Sequence, residues 1–379
     1  MRRRRFLGDA LRATAPLALA GPALAQRPRT REPPQPFATV ALHYMTWLEQ
    51  GAWPFLSTWP ILDPQHPVPQ PYRADDPAVF RRHNALAARN EFVWLWSWWG
   101  RTGTIGGDST LRAYLEGDPG SPVQLIILYE ATGLLTADAA GFFSFDDPDN
   151  YRQFVDDMAY LDRTYWSDPR HAHRFLHIGD RAVVFAWVSR NFTGAWPAAV
   201  AAARGEARFY LVGSEFTLDL MADGETPRVR PDLAEVAAPL DAVSSYGIYD
   251  PRYVPPSGRL DAAYTDRYER AIRGWPPLLA RLAPHVSFIP PLQYAFDDHY
   301  ARPAARNPPL QSDLEEALAV ARATRSLLDD ARAGDPRYRN VLPAVFLVSW
   351  NEHVEGTAIE WTVEHGYQYL QATTTTFRE

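Results

Sequence analysis

Eight short, apolar, β-prone runs recur along this chain, each followed by a longer stretch with helical spacing, and that alternation constrains the fold more than any other feature. The runs are FATVALHYM at 37–45, FVWLWSW at 92–98, VQLIILYE at 123–130, RAVVFAW at 181–187, RFYLVG at 208–213, DAVSSY at 241–246, VSFIPPLQY at 286–294 and PAVFLVSW at 343–350. Strands separated by helices pair in parallel, because each helix carries the chain back to the end of the sheet it started from. Two of the intervening helices have good internal evidence. Over 148–164, Tyr151, Phe154, Val155, Met158 and Leu161 fall on one face. Over 312–331 the chain opens with Ser312 and Glu315, a capping-box spacing, and carries Leu314, Leu318, Leu327 and Leu328. Eight such units, with no second compositional block, point to an α/β fold: a single (β/α)8 TIM barrel with elaborated βα loops over residues 37–379. A doubly wound open sheet is the alternative. The barrel reading requires functional side chains at the carboxyl ends of the strands.

Composition then narrows the chemistry. With 379 residues, 46% of them hydrophobic, the chain can bury a large core. Its net charge of -7 argues against nucleic acid as a partner. There is no cysteine and no lysine, all 38 basic residues being arginine, so thiol nucleophiles, Schiff-base lysines and phosphate-loop lysines are excluded. Carboxylate, histidine, hydroxyl or metal chemistry is left. The opening residues, MRRRRFLGDALRATAPLALAGPALAQ, place consecutive arginines before Phe6-Leu7, a weakly apolar stretch and Ala23-Leu24-Ala25. That order resembles a twin-arginine export signal over residues 1–25, cleaved after Ala25, which implies the twin-arginine export machinery as a partner of the precursor and a periplasmic or extracellular product. Residues 26–36 are polar and proline-rich and read as a linker. No later apolar run approaches the ~18 residues that span a bilayer, so no membrane span is expected in the mature chain.

Several expected strands end in aromatic or polar residues. The first ends at His43-Tyr44 and Trp47, the second at Trp98 and Trp99 beside Gly100, the third at Glu130, the sixth at Tyr246. The seventh ends at Tyr294, followed by Asp297-Asp298, and the eighth at Trp350-Asn351-Glu352. Such a rim suits an oligo- or polysaccharide, whose C–H faces stack on rings while its hydroxyls need polar partners. Of Trp94 and Trp96 at least one should point into packing, and Asp297-Asp298 reads equally as a helix cap or turn. His171, His173 and His177 precede an expected strand, at the other end of the barrel, and read as structural. Glu352 and Glu355 stand apart. Cleaving a glycosidic bond needs one group to protonate the leaving oxygen and another to act as base or nucleophile. Two carboxylates three residues apart, flanked by Trp350, Ile359 and Trp361, with Gly356 loosening the backbone, suit that pairing better than a solvated acidic loop does.

These motifs together resemble glycoside hydrolase family 99 and its family 99-like relatives, the endo-acting α-mannosidases. SWNEHVEGTAIE at 349–360 is similar to that family's FNEWHEGTQIE. HYMTW and GAWPFLSTW resemble its opening YYPWY and Trp-rich stretch, VWLWSWWG with GDST its second βα unit, and LIILYE its VAFHIEPY. GDRAVVFAW is similar to GRPVFYVY and YAFDDHYARP to PGYDDTRIRP, and the order holds over roughly residues 37–361. The family is a (β/α)8 barrel and needs no cofactor. The resemblance implies that Glu352 is a general base acting on the substrate's own 2-hydroxyl, giving a 1,2-anhydro sugar, and that Glu355 is the general acid and then the base for water. Tyr44, Glu130, Tyr246 and Trp187 would line the sugar subsite, and Asp298 with Arg302 would shape the seventh loop. Two departures bear on the substrate: His353-Val354 stands where the family has Trp-His, and Ala131-Thr132 where it has Pro-Tyr. Two other readings stay open, a carbohydrate-binding barrel without turnover and a metal-assisted hydrolase using Asp297, Asp298, His299 and Glu130.

Overall fold

The structure, a computed structural model, describes residues 38–48, 54–62 and 68–378. The expected leader and linker lie outside them. Eight parallel strands form the main sheet among the described residues: β1 (Thr39–Tyr44), β2 (Val93–Trp98), β3 (Leu125–Tyr129), β4 (Arg181–Ala186), β5 (Phe209–Ser214), β6 (Ala242–Ser244), β7 and β8 (Ala344–Val348). β7 comes in two pieces, Ser287–Phe288 and Pro291–Gln293. Each falls on one of the eight apolar runs, β5 ending one residue later than its run.

The order of pairing shows that the sheet closes. Neighbours run from the first piece of β7 through β6, β5, β4, β3, β2, β1 and β8 to the second piece of β7. The two free ends of that path are thus one strand, joined through Ile289-Pro290, and the open-sheet alternative is overturned. The change of partner has a simple cause: Pro290 and Pro291 carry no N–H, so the ladder breaks there. Ser287–Phe288 pairs with β6 and Pro291–Gln293 with β8.

Among the described residues, eight α-helices of five or more residues follow the strands: α1 (Pro77–Arg89), α2 (Asp108–Gly117), α3 (Pro148–Leu161), α4 (Trp196–Glu206), α5 (Leu233–Ala237), α6 (Ala262–Leu282), α7 (Leu314–Arg332) and α8 (Gln368–Phe377). α3 stops earlier than its apolar spacing suggests and passes into a π turn at Asp162–Trp166. The capping box of α7 is also displaced by one residue. Asp313 caps the helix with Glu316, whereas the Ser312 hydroxyl donates to the Tyr294 carbonyl.

Strand alternation splits the core into two layers. Ala41, Leu95, Ile126, Phe185, Val212 and Phe346 fill the barrel interior. Tyr44, Trp94, Trp96, Trp98, Ile127 and Tyr129 face outward beneath the helices. The three strand tryptophans lie two residues apart and so share a face. Each ring removes roughly 150–250 Å² from water, which is why these bulky groups belong between barrel and helices.

Candidate active site at the carboxyl ends of the strands

Parity places the next inward positions of β1, β2 and β4 at His43, Ser97 and Trp187, and on β3 it places Glu130 beyond Ile126 and Leu128. Ser97 Oγ donates to Glu130 Oε1 at 2.5 Å and itself accepts from Trp99 Nε1 at 2.9 Å. Glu130 is buried, and that burial, opposed by the Ser97 bond and reinforced by the charge of Glu355, pushes its pKa up to about 8. His43 stands edge-on to Tyr246 at 5.0 Å and to Phe185 at 5.6 Å. Burial pulls its pKa down to about 3, so the ring is neutral at physiological pH, and neither nitrogen has a protein partner. Sequence reasoning put His43 at the first strand's end without assigning it to the site; the alternation of that strand, with Ala41 inward, was the available signal.

The loop after β8 supplies the paired glutamates. Its start is sewn to β1: Trp350 N–H donates to the His43 carbonyl at 2.8 Å. Glu352 is buried, its N–H donating to Ser349 Oγ at 2.7 Å and its Oε1 accepting from Val354 N–H at 3.1 Å. Burial, then the nearby charge of Glu355, pushes the Glu352 pKa well above the carboxylate range. Glu355 is more open. Arg302 Nη1 lies 2.5 Å from its Oε1, and the Tyr246 hydroxyl donates to its Oε2 at 3.2 Å. Tyr246 is the hub of the cluster: burial and the charges of Glu355, Glu352 and Glu130 raise its own pKa, keeping it a hydroxyl donor.

Gly356 lets the loop double back. Its φ is +64°, and a Cβ there would sit 3.2 Å from the Asp297 backbone nitrogen, a close approach only glycine tolerates without strain. That contact brings Asp297 N–H to the Glu355 carbonyl at 2.7 Å. Asp298, buried behind it, accepts from Arg302 at 3.1 Å and Asn307 at 2.9 Å, which aims the guanidinium at Glu355.

Between the glutamates, His353 points away from the mouth into a buried polar knot. Its Nε2 lies 2.5 Å from Glu360 Oε1, and its Nδ1 3.0 Å from Thr58 Oγ1. Glu360 also accepts from the Tyr72 hydroxyl at 2.6 Å and pairs with His83 Nε2 at 3.1 Å. Burial alone would raise the Glu360 pKa, but His83 and His353 hold it down to about 2. The loop therefore rests on an ionised carboxylate with three donors.

No family model matches this chain, and no curated protein matches it. Its architecture does match solved structures. A glycoside hydrolase-like protein aligns at 15% identity over 92% of this chain and 98% of its own, with a TM-score of 0.62. A GH99 endo-α-mannosidase from Bacteroides thetaiotaomicron, solved with bis-tris propane, aligns at 16% identity over 89% of this chain and 94% of its own, with a TM-score of 0.55. The fold is that of the GH99 endo-α-mannosidases.

Within this barrel, Glu130, Trp187, Tyr246, Arg302, Glu352 and Glu355 come together at the strand ends, with Trp99 behind Ser97. Trp187 packs on Tyr246 at 5.8 Å. Trp47 and Trp99 flank Gly106 on the rim. Four expected sugar contacts are corrected. Tyr44 faces outward, stacked on Trp96 and bonded to His83 Nδ1 at 3.0 Å. Trp98 also faces outward and is fully buried, because it shares parity with Trp94 and Trp96. Tyr294 packs on Tyr369 and bonds Thr373 in α8. Asn351 is buried, its amide clamped to both the N–H and the carbonyl of Met45 at 2.7 and 3.0 Å, so it braces the loop. Among the described residues, no three His, Asp or Glu side chains are grouped to hold a metal ion. His171 and His173 lie in the turn before β4, and His177 pairs antiparallel with β4 at the barrel's amino end.

The Glu130 environment has a measurable consequence. A carboxyl whose pKa rises from 4.5 to about 8 on folding binds its proton more tightly in the native state. The stability this gives is complete below about pH 4.5 and is lost as pH climbs through 8. Glu130→Gln has no proton to lose, so its melting temperature should gain on wild type steadily between pH 4.5 and 8; a constant gap across that range would contradict the assignment.

Proposed function

We propose that this protein is an exported, retaining α-glycosidase that cuts within an α-mannan-like or related polysaccharide. The observation that carries the reading is the pairing of Glu352 and Glu355 on one loop at the barrel mouth, in unlike surroundings, beside Tyr246 and Trp187. The GH99 likeness and the SWNEHVEGTAIE motif support it. In the proposed cycle Glu352 takes the proton of the substrate 2-hydroxyl as that oxygen attacks the anomeric carbon, and Glu355 gives a proton to the departing glycosidic oxygen. Water then opens the 1,2-anhydro sugar, losing a proton to Glu355 while Glu352 returns one to the 2-oxygen. Protons and electron pairs balance, and configuration is retained.

The resting electrostatics add a requirement. Burial favours the proton on Glu352, while Glu355 faces the Arg302 guanidinium. The proposed roles need the reverse arrangement, with Glu352 ionised and the proton on Glu355, so substrate entry has to displace Arg302, whose side chain is about half exposed, and pass the proton from Glu352 to Glu355. That ion pair favours one second reading, in which the roles are exchanged and Glu352 is the acid. The test of the activity itself is direct. Residues 26–379, incubated with α-mannans, α-glucans and bacterial exopolysaccharides, should generate new reducing ends from at least one polymer. Saturable binding without cleavage would instead support a carbohydrate-binding barrel.

A further inference from the structure

A groove of about 680 Å³ lies outside the loop that carries the glutamates, lined in part by Leu56, Ser57, Trp59, His299, Tyr300 and Glu364. It is built by the loops after β1, β7 and β8. The catalytic loop forms one of its supports: Ser57 N–H donates to the His353 carbonyl at 2.8 Å, and Ser57 Oγ to that of Val354 at 3.1 Å. On the β7 side, His299 bonds Asp297, whose N–H holds the Glu355 carbonyl. The groove is thus tied by short contacts to the carbonyls of His353, Val354 and Glu355, yet contains none of the residues assigned to chemistry.

Its lining combines the aromatic rings and polar groups that sugars require. Tyr300 is 53% exposed and packs on the His299 ring at 3.6 Å. Trp59, in the same lining, is held at both backbone ends, its N–H by Glu364 Oε2 at 2.9 Å and its carbonyl by Val363 N–H at 2.9 Å. The same lining carries a serine hydroxyl, an imidazole and a carboxylate. Glu364, with Asp297 nearby and a net charge of -7 on the chain, disfavours uronate or phosphate polymers. We infer that this groove is a second saccharide-binding site, taking neutral sugar units of the polymer that the catalytic loop engages. The inference rests on the glycosidase reading for the identity of that polymer, and its test can fail separately.

The experiment is affinity electrophoresis of the mature chain through gels containing neutral mannan, neutral glucan or a polyuronate, with Tyr300→Ala and Trp59→Ala alongside. At least one neutral polysaccharide should retard wild type while the polyuronate does not. Each variant should bind it about tenfold more weakly, the loss of one aromatic platform. Tyr300→Ala removes an exposed ring and keeps the fold, so it decides the matter if Trp59→Ala is unstable. Undiminished retardation of Tyr300→Ala, stronger retardation by the polyuronate, or no retardation of wild type by any neutral polymer would overturn the site. Cleavage assays on the same polymers separate the two ideas. Retention that depends on Tyr300 without hydrolysis sinks the glycosidase reading alone, whereas hydrolysis with equal kcat/KM in wild type and Tyr300→Ala at every chain length sinks the groove alone.

Discussion

Glu355→Gln should lose ~10²- to ~10⁴-fold in kcat on a polysaccharide while keeping the wild-type melting temperature, the range expected when a positioned general acid is removed. The amide keeps the shape and the Tyr246 contact but cannot deliver a proton. The informative comparison is with Glu352→Gln on two substrates. A glycoside whose aryl leaving group departs as a stable phenolate needs no protonation, so it should restore cleavage in the variant that lacks the acid and leave the variant that lacks the base inactive. Rescue of Glu355→Gln fits the assignment in which Arg302 swings aside; rescue of Glu352→Gln instead means that the resting proton on the buried glutamate is the working one. Wild-type turnover by both variants on unactivated polymer would remove this loop from the chemistry altogether.

Glu360→Ala is expected to be the most destabilising single change near the site, costing about 3–5 kcal/mol, because it strands the buried His83, His353 and Tyr72 groups around an empty position. Against a typical total of about 5–15 kcal/mol, this should appear as a large drop in the urea midpoint. Its pH dependence follows from the depressed pKa. The unfolded carboxyl titrates near 4.5 and the folded one near 2, so the contribution is complete above about pH 4.5 and fades as pH falls toward 2. The stability gap between wild type and a Glu360→Gln variant should therefore narrow over that acid interval. An equal urea midpoint for Glu360→Ala at pH 7 would show that the knot beneath the loop contributes nothing to holding it.

The barrel was legible because its signal is repeated eight times and depends only on apolar runs and their spacing. The grouping of side chains at the mouth was legible where a motif sits at a strand end, as with Glu130, Tyr246 and the two glutamates. What misled was facing. Tyr44 and Trp98 end their strands in aromatic, sugar-friendly residues, yet a side chain one position along a strand points to the opposite layer, and the end of a run does not reveal which layer comes last. His43 was hidden by the same ambiguity. Glu360 was visible only as the tail of a motif, because its partners Tyr72 and His83 come from a loop and helix nearly three hundred residues earlier. The cap of α7 moved from Ser312 to Asp313 for a local reason, since both residues have the side chain for it and the Tyr294 carbonyl claims the serine.

The diproline step in β7 determines which parts of the mouth travel together. Past Pro290 that strand's ladder runs only to β8, so the strand leading to Asp298 and Arg302 is laced to the strand leading to Glu352 and Glu355. Tyr246 rises from the far bank of the seam, on the β6 side, and reaches across it by one hydroxyl. Beside it Gln293 Oε1 accepts from the Ile248 and Tyr249 N–H groups at 2.9 and 3.1 Å, so the two banks of the mouth are fastened by side chains that a single substitution can cut, where every other neighbouring pair of staves is fastened by backbone.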